Sequence, residues 1–174
     1  IRRASPTVGE SFLVVGLGLI GQITIQILRS SGIDVYGIEP NIDFINKAKE
    51  NGFSNIYPDF NSLNKNVPLL LKNIGFDASI ITAASKSNNI LEQTFRVCRK
   101  KSRVILVGDV GLSINRDDIF KKEIDFKIAS SYGPGRYDED YEEKGIDYPI
   151  GFVRWTLNRN MELYVKMIES NQLD

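Results

Sequence analysis

The stretch that decides the fold is "SFLVVGLGLIGQITIQIL", Ser11 to Leu28. A short apolar, β-branched run leads into Gly16, Gly18 and Gly21, and residues at helical spacing follow (Ile20, Ile23, Ile27 and Leu28). An apolar run closed by glycine reads as a strand buried on both faces. Three glycines between such a strand and a helix form the G-x-G-x-x-G turn that holds a dinucleotide pyrophosphate. Gly16 would permit the tight turn, Gly18 would leave room for the phosphates, and Gly21 would let the helix pack closely. The first helical N–H groups, those of Leu19, Ile20 and Gly21, would face the anion with the positive end of the helix dipole. No lysine lies in the loop, which argues against a P-loop. A turn chosen only for packing is the competing reading.

Strand and helix signals alternate outward from this point. "DVYGIE" reads as a second strand and "NIDFINKAKENG" as a helix, capped by Asn41 and ended by Gly52. "NIY" is a very short third strand, and Leu69, Leu70 and Leu71 fall in a short helix. "FDASIITAA", "SRVILVGDVG" and "DFKIASSYG" are the fourth to sixth strands, with helices in "NNILEQTFRVCRK" and "RDDIFKKE" between them. Trp155, Leu163, Val165, Met167 and Ile168 mark a last helix. This order predicts an α/β, doubly wound, mainly parallel six-stranded Rossmann sheet, strand order 3-2-1-4-5-6, with helices on both faces.

Glu39 ends the second strand at about the 20-residue spacing expected for the acid that binds the adenosine ribose. Its charge would repel a 2′-phosphate, and no Arg or Lys lies near it before Lys47, so NAD is expected ahead of NADP. A solvated strand-end acid is the alternative.

At 174 residues the chain has the size of one domain, expected over 1–174 and as an excised piece of a longer chain. Equal numbers of acidic and basic residues, 22 each, recommend neither nucleic acid nor an anionic membrane. No apolar run is long enough to span a bilayer, and a single cysteine forbids an internal disulfide, so the expected compartment is the cytoplasm. With no histidine and one cysteine, neither a zinc site of Cys and His ligands nor a serine-type triad can be assembled. Cys98 is expected within a helix as a small core residue.

"VVGLGLIGQITIQILRSSGIDVYGIEPN", "FDASIITAAS" and "CRKKSRVILVGDVG" together resemble the coenzyme domain of medium-chain alcohol dehydrogenases and reductases. "SSYGPGRYDEDYEEKGIDYPIGFVRWTLNRNM" is similar to a bacterial subgroup in which a glucose–fructose-oxidoreductase-like module is often joined to this part, associated with cell-surface polysaccharide synthesis. The resemblance implies that Thr82, Ala83 and Ala84, then Val107, Gly108 and Asp109, then Ser131 and Tyr132 lie along the cofactor. It further implies hydride transfer to or from an alcohol or carbonyl, completed by a catalytic domain that also holds any zinc. Family members often pair as homodimers along sheet edges, and the sixth strand is the candidate edge.

The polar stretch 132–149 is long for a connection and is expected either as a mobile loop, a contact for a neighbouring domain, or a ligand loop in which Arg136 and Tyr137 meet substrate. Two rival functions remain. A nucleotide-sensing Rossmann module would bind the same cofactor without catalysis. A methyltransferase would bind S-adenosylmethionine.

Overall fold

The computed structural model describes all residues, Ile1–Asp174. They fall into two compact units, Ile1–Ala129 and Ser130–Asp174.

In the first unit a 3₁₀ turn at Arg2–Ala4 precedes β1 (Ser11–Val15), α1 (Leu19–Ser30), β2 (Asp34–Ile38) and α2 (Ile42–Glu50). Next come β3 (Ile56–Tyr57), α3 (Phe60–Asn66), α4 (Leu69–Ile74), β4 (Phe76–Ile81) and α5 (Asn89–Val97). β5 (Cys98–Leu106), α6 (Arg116–Phe120) and β6 (Asp125–Ile128) complete it. The six strands form one sheet in the order β3-β2-β1-β4-β5-β6, every pair parallel, as the sequence predicts.

β1 lies at the centre, and all five of its residues are buried. Its period of two divides them between the faces. Leu13 and Val15 join a core with Phe60 and Leu63 of α3 and Leu91 and Phe95 of α5. Phe12 and Val14 join another with Ile25 and Leu28 of α1 and Ala48 of α2. Both faces are therefore covered by helices, which is why β1 reads as a continuous apolar run rather than an alternating one. Asn41 caps α2 by accepting from the Asp43 N–H at 2.9 Å, and Gly52 follows that helix at φ 71°.

One expectation fails. Cys98 is not helical: α5 ends at Val97, and Cys98 opens β5, buried and paired with Phe76. The register then shifts between Phe76 and Ala78, with Lys101 at φ 57° in the irregular segment. The Lys122 ammonium donates to the carbonyls of Phe95 (2.8 Å), Arg96 (2.6 Å) and Cys98 (2.8 Å), closing the helix end from a distant part of the chain.

The second unit contains α7 (Glu139–Glu142) and α8 (Leu157–Glu169). Asp138 caps α7 by accepting from the Asp140 N–H at 3.0 Å. Gly135, at φ 96°, lies beneath the Tyr141 ring, where an added Cβ would come within 2.4 Å of the ring edge. Asp147 accepts from the Thr156 hydroxyl at 3.2 Å and pairs with Arg159 at 3.4 Å, which ties the chain before α8 to its first turn. No helix of the protein is long and apolar enough to cross a membrane.

Candidate functional site

A cleft of about 580 Å³ opens at the C-terminal ends of the strands in the first unit. It lies where the chain reverses direction across the sheet, β1 having β2 on one side and β4 on the other. That is the position at which open α/β sheets take their ligands.

The turn after β1 forms its floor, and its three glycines face different demands. Gly16 has φ 93°, and a Cβ there would stand 2.6 Å from the Ala83 nitrogen, so the chain itself requires glycine. A Cβ on Gly21 would fall 2.0 Å from the Gly16 carbonyl oxygen, so the first turn of α1 can close on the loop only without a side chain. Gly18 differs: it has ordinary negative φ, and an added Cβ would meet nothing within 4 Å. Neither strain nor packing within the protein demands glycine there.

The Leu17 peptide is held from both sides. Its N–H donates to Glu39 Oε2 at 2.7 Å, and its carbonyl accepts from Gln22 Nε2 at 3.0 Å. Glu39 Oε1 accepts from the Asn41 N–H at 2.8 Å, so one buried carboxylate joins the glycine turn to the start of α2. Gln22 Nε2 also donates to the Phe44 carbonyl at 2.9 Å, while its Oε1 is buried without a partner. Thr82 locks the other flank, its hydroxyl donating to the Gly16 carbonyl at 2.5 Å. No side chain caps the N-terminus of α1.

Six of the residues singled out in the sequence meet in the cleft wall: Gly16, Gly18, Glu39, Thr82, Ala83 and Ala84. Gly21 is buried behind it, and Leu19 and Ile20 stand exposed at the start of α1 (77% and 57%). Val107, Gly108 and Asp109 follow β5 outside this wall, although Gly108 presses on Ala83, where a Cβ would fall 2.0 Å from its carbonyl oxygen. Ser131, Tyr132, Arg136 and Tyr137 belong to the second unit. There Arg136 donates to Glu142 at 2.6 Å and lies over the rings of Tyr132 and Tyr137.

The sequence reading missed Asp59, Phe60, Asn89 and Gln93, which also line the cleft. A signal was available. "PDF" follows directly on the third strand as "EPN" follows the second, and Asn89 and Gln93 are one helical turn apart. The wall carries two carboxylates, Glu39 and Asp59, and no Lys or Arg. No three His, Cys, Asp or Glu side chains come together as a metal site.

Residues 20–146 match the family model described as zinc-binding dehydrogenase. No curated protein matches the sequence significantly. Among solved structures, the fold is shared with a thermostable alcohol dehydrogenase from Pyrobaculum aerophilum, bound to cobalt and zinc (TM-score 0.67, 16% identity, covering 99% of this chain and 42% of that one). It is shared also with the CurK enoyl reductase (0.68, 14% identity, 98% and 47%). A third is a zinc-binding dehydrogenase from Sinorhizobium meliloti 1021 in complex with NADP (0.63, 20% identity, 74% and 39%). The chain thus spans less than half the length of these neighbours. The metal in the family's description has no ligand set among the residues of this chain. The match to the family model covers most of the sequence, and the chain belongs to the zinc-binding dehydrogenase family.

Proposed function

We propose that the cleft binds NAD(H), and that the chain is the coenzyme domain of an alcohol-dehydrogenase-like oxidoreductase. Gly18 carries the reading. Gly16 and Gly21 are explained by the protein's own packing, whereas Gly18 has no neighbour within 4 Å of an added Cβ and opens onto the cleft wall, which leaves room for a ligand there. That space adjoins the uncapped N-terminus of α1, whose N–H groups suit a pyrophosphate.

Glu39 supports NAD over NADP. Each of its oxygens accepts one backbone N–H and keeps a further lone pair for a ribose hydroxyl. A 2′-phosphate would instead meet two carboxylates and no cation. Thr82, Ala83 and Ala84 after β4, with Val107, Gly108 and Asp109 after β5, would give the rest of the cofactor a surface of small side chains and backbone. When bound, the nicotinamide supplies hydride chemistry at an alcohol or carbonyl carbon. Proton transfer, any zinc and most substrate contacts would come from a catalytic domain beyond this chain, to which this chain would add Arg136 and Tyr137 as substrate contacts. A sugar-related substrate and a joined oxidoreductase-like module follow from the subgroup resemblance alone.

The test is calorimetric titration with NADH and NADPH, repeated on Glu39→Ala. NADH should bind, NADPH should bind at least about ten-fold more weakly, and the variant should lose about 10–100-fold for NADH, the worth of charge-assisted hydrogen bonds. Equal affinity for the two cofactors would refute the role of Glu39. Selective binding of S-adenosylmethionine would refute the assignment as a whole.

A further inference from the structure

The outer half of the cleft is walled by the end of β2, the turn after β3 and one face of α5. Ile38 and Phe60 are buried, and Phe44 is half exposed, giving apolar surface for a flat ring. Three polar side chains stand among them. Asp59 uses Oδ1 to accept the Ser62 N–H at 2.7 Å, which caps α3. Its pKa is held below the ordinary carboxylate value, chiefly by that N–H, so at neutral pH it is an acceptor only. Asn89 and Gln93 line the same wall one turn apart on α5. No hydrogen bond within the protein engages either side-chain amide; the Asn89 backbone N–H donates to the Ser87 hydroxyl at 3.2 Å. Asn89 is exposed and Gln93 half-buried, so both amides keep their donors and acceptors available at the cleft.

A carboxylate and side-chain amides are complementary to the amino edge of adenine. The 6-amino group offers two donors, and the neighbouring N7 is an acceptor that an amide N–H can reach while its oxygen takes the amino group. A 6-oxo purine keeps the N7 acceptor but replaces the 6-amino donors by an oxygen, which faces the carboxylate and leaves an amide oxygen paired on the N7 side without a donor.

We propose that Asp59, Asn89 and Gln93 form a base-reading edge, selecting an adenine dinucleotide over its 6-oxo counterpart. The inference rests on the cleft being a dinucleotide site, and the test separates the two. NADH and the reduced nicotinamide hypoxanthine dinucleotide are titrated against the protein, Asp59→Asn and Gln93→Leu. Wild type should favour NADH by about ten-fold or more, the range of one good bidentate pair. Asp59→Asn retains an oxygen for the Ser62 N–H, so its melting temperature should hold. Its new amide N–H can meet a 6-oxo group, so affinity for the hypoxanthine compound should rise while affinity for NADH falls. Gln93→Leu should lower NADH affinity and bring the ratio towards one. Equal binding of both compounds by wild type, or equal losses for both in the variants, overturns the base-reading edge and leaves the dinucleotide site standing. Binding of neither compound by a folded wild-type protein overturns both.

Discussion

At the scale of single residues, the three glycines separate demands that one motif combines. Gly16→Ala places a methyl against the Ala83 backbone at a φ of 93°, and strain and overpacking each cost about 1–3 kcal/mol. Gly18→Ala meets no atom and no strain; only the poorer helix-capping of alanine opposes it, about 1 kcal/mol or less. Thermal melts should therefore show a large loss for Gly16→Ala and a small one for Gly18→Ala. NADH titration of the folded Gly18→Ala protein should show binding weakened by about ten-fold or more, since a methyl then occupies the space proposed for the phosphates. Undiminished binding by that variant would mean the space over Gly18 serves no ligand. The separate demands on Gly16 and Gly21 were legible, because the spacing of the motif between a strand and a helix assigns each glycine its task. The double grip on the Leu17 peptide was not. Glu39 and Gln22 reach it from different elements, and no local pattern marks a hydrogen bond between residues that only the fold brings together.

At the scale of elements, βα alternation was readable across the whole sheet, the partly exposed β3 and β6 included, and it failed at one place. The first half of β5, "CRKK", is polar and reads as the tail of a helix. It is a strand because Phe76 pairs with Cys98 and because Lys122 takes up the carbonyls at the end of α5, two interactions made by residues distant in sequence. The consequence is chemical as well as structural. Burial pushes the Cys98 thiol from its ordinary 9.0 up to about 12, outweighing the nearby Lys122 cation. The folded state thus favours the protonated thiol. Its contribution to stability is complete below pH 9 and disappears as pH rises from 9 towards 12. Melting temperature should fall through that window, and the fall should be shallower in Cys98→Ala. Tyr36, raised to about 12 chiefly by burial, adds a parallel loss that persists in the variant. At neutral pH a disulfide reagent should modify Cys98 only as fast as the protein opens. Rapid modification of the native protein would contradict its placement in the sheet.

At the scale of the whole molecule, the sheet order was legible from the succession of elements, because parallel strands need crossovers and right-handed crossovers leave few topologies. The internal order of residues 130–174 was not. "YGPGRYDEDYEEKGIDYP" looks like an irregular polar loop, yet its charges are paired locally, Arg136 with Glu142 and Lys144 with Asp140, around a capped helical turn. Such pairs depend on turns set by Gly133 and Gly135 at positive φ, and composition alone does not fix them. Every wall of the cleft proposed for the dinucleotide, by contrast, lies within Ile1–Ala129. The nucleotide half of the site should then be self-sufficient. Residues 1–129 produced alone should bind NADH within about three-fold of the affinity of residues 1–174. NADH at a hundred times its dissociation constant should stabilise both by about 2.7 kcal/mol, read as a rise in melting temperature. If the shorter piece folds but its affinity collapses, residues 130–174 contribute directly to the cofactor site, and Ser131 and Tyr132 become the first positions to substitute. If the affinity holds, those residues are free to serve the substrate side, and Arg136→Ala and Tyr137→Ala should leave NADH binding unchanged.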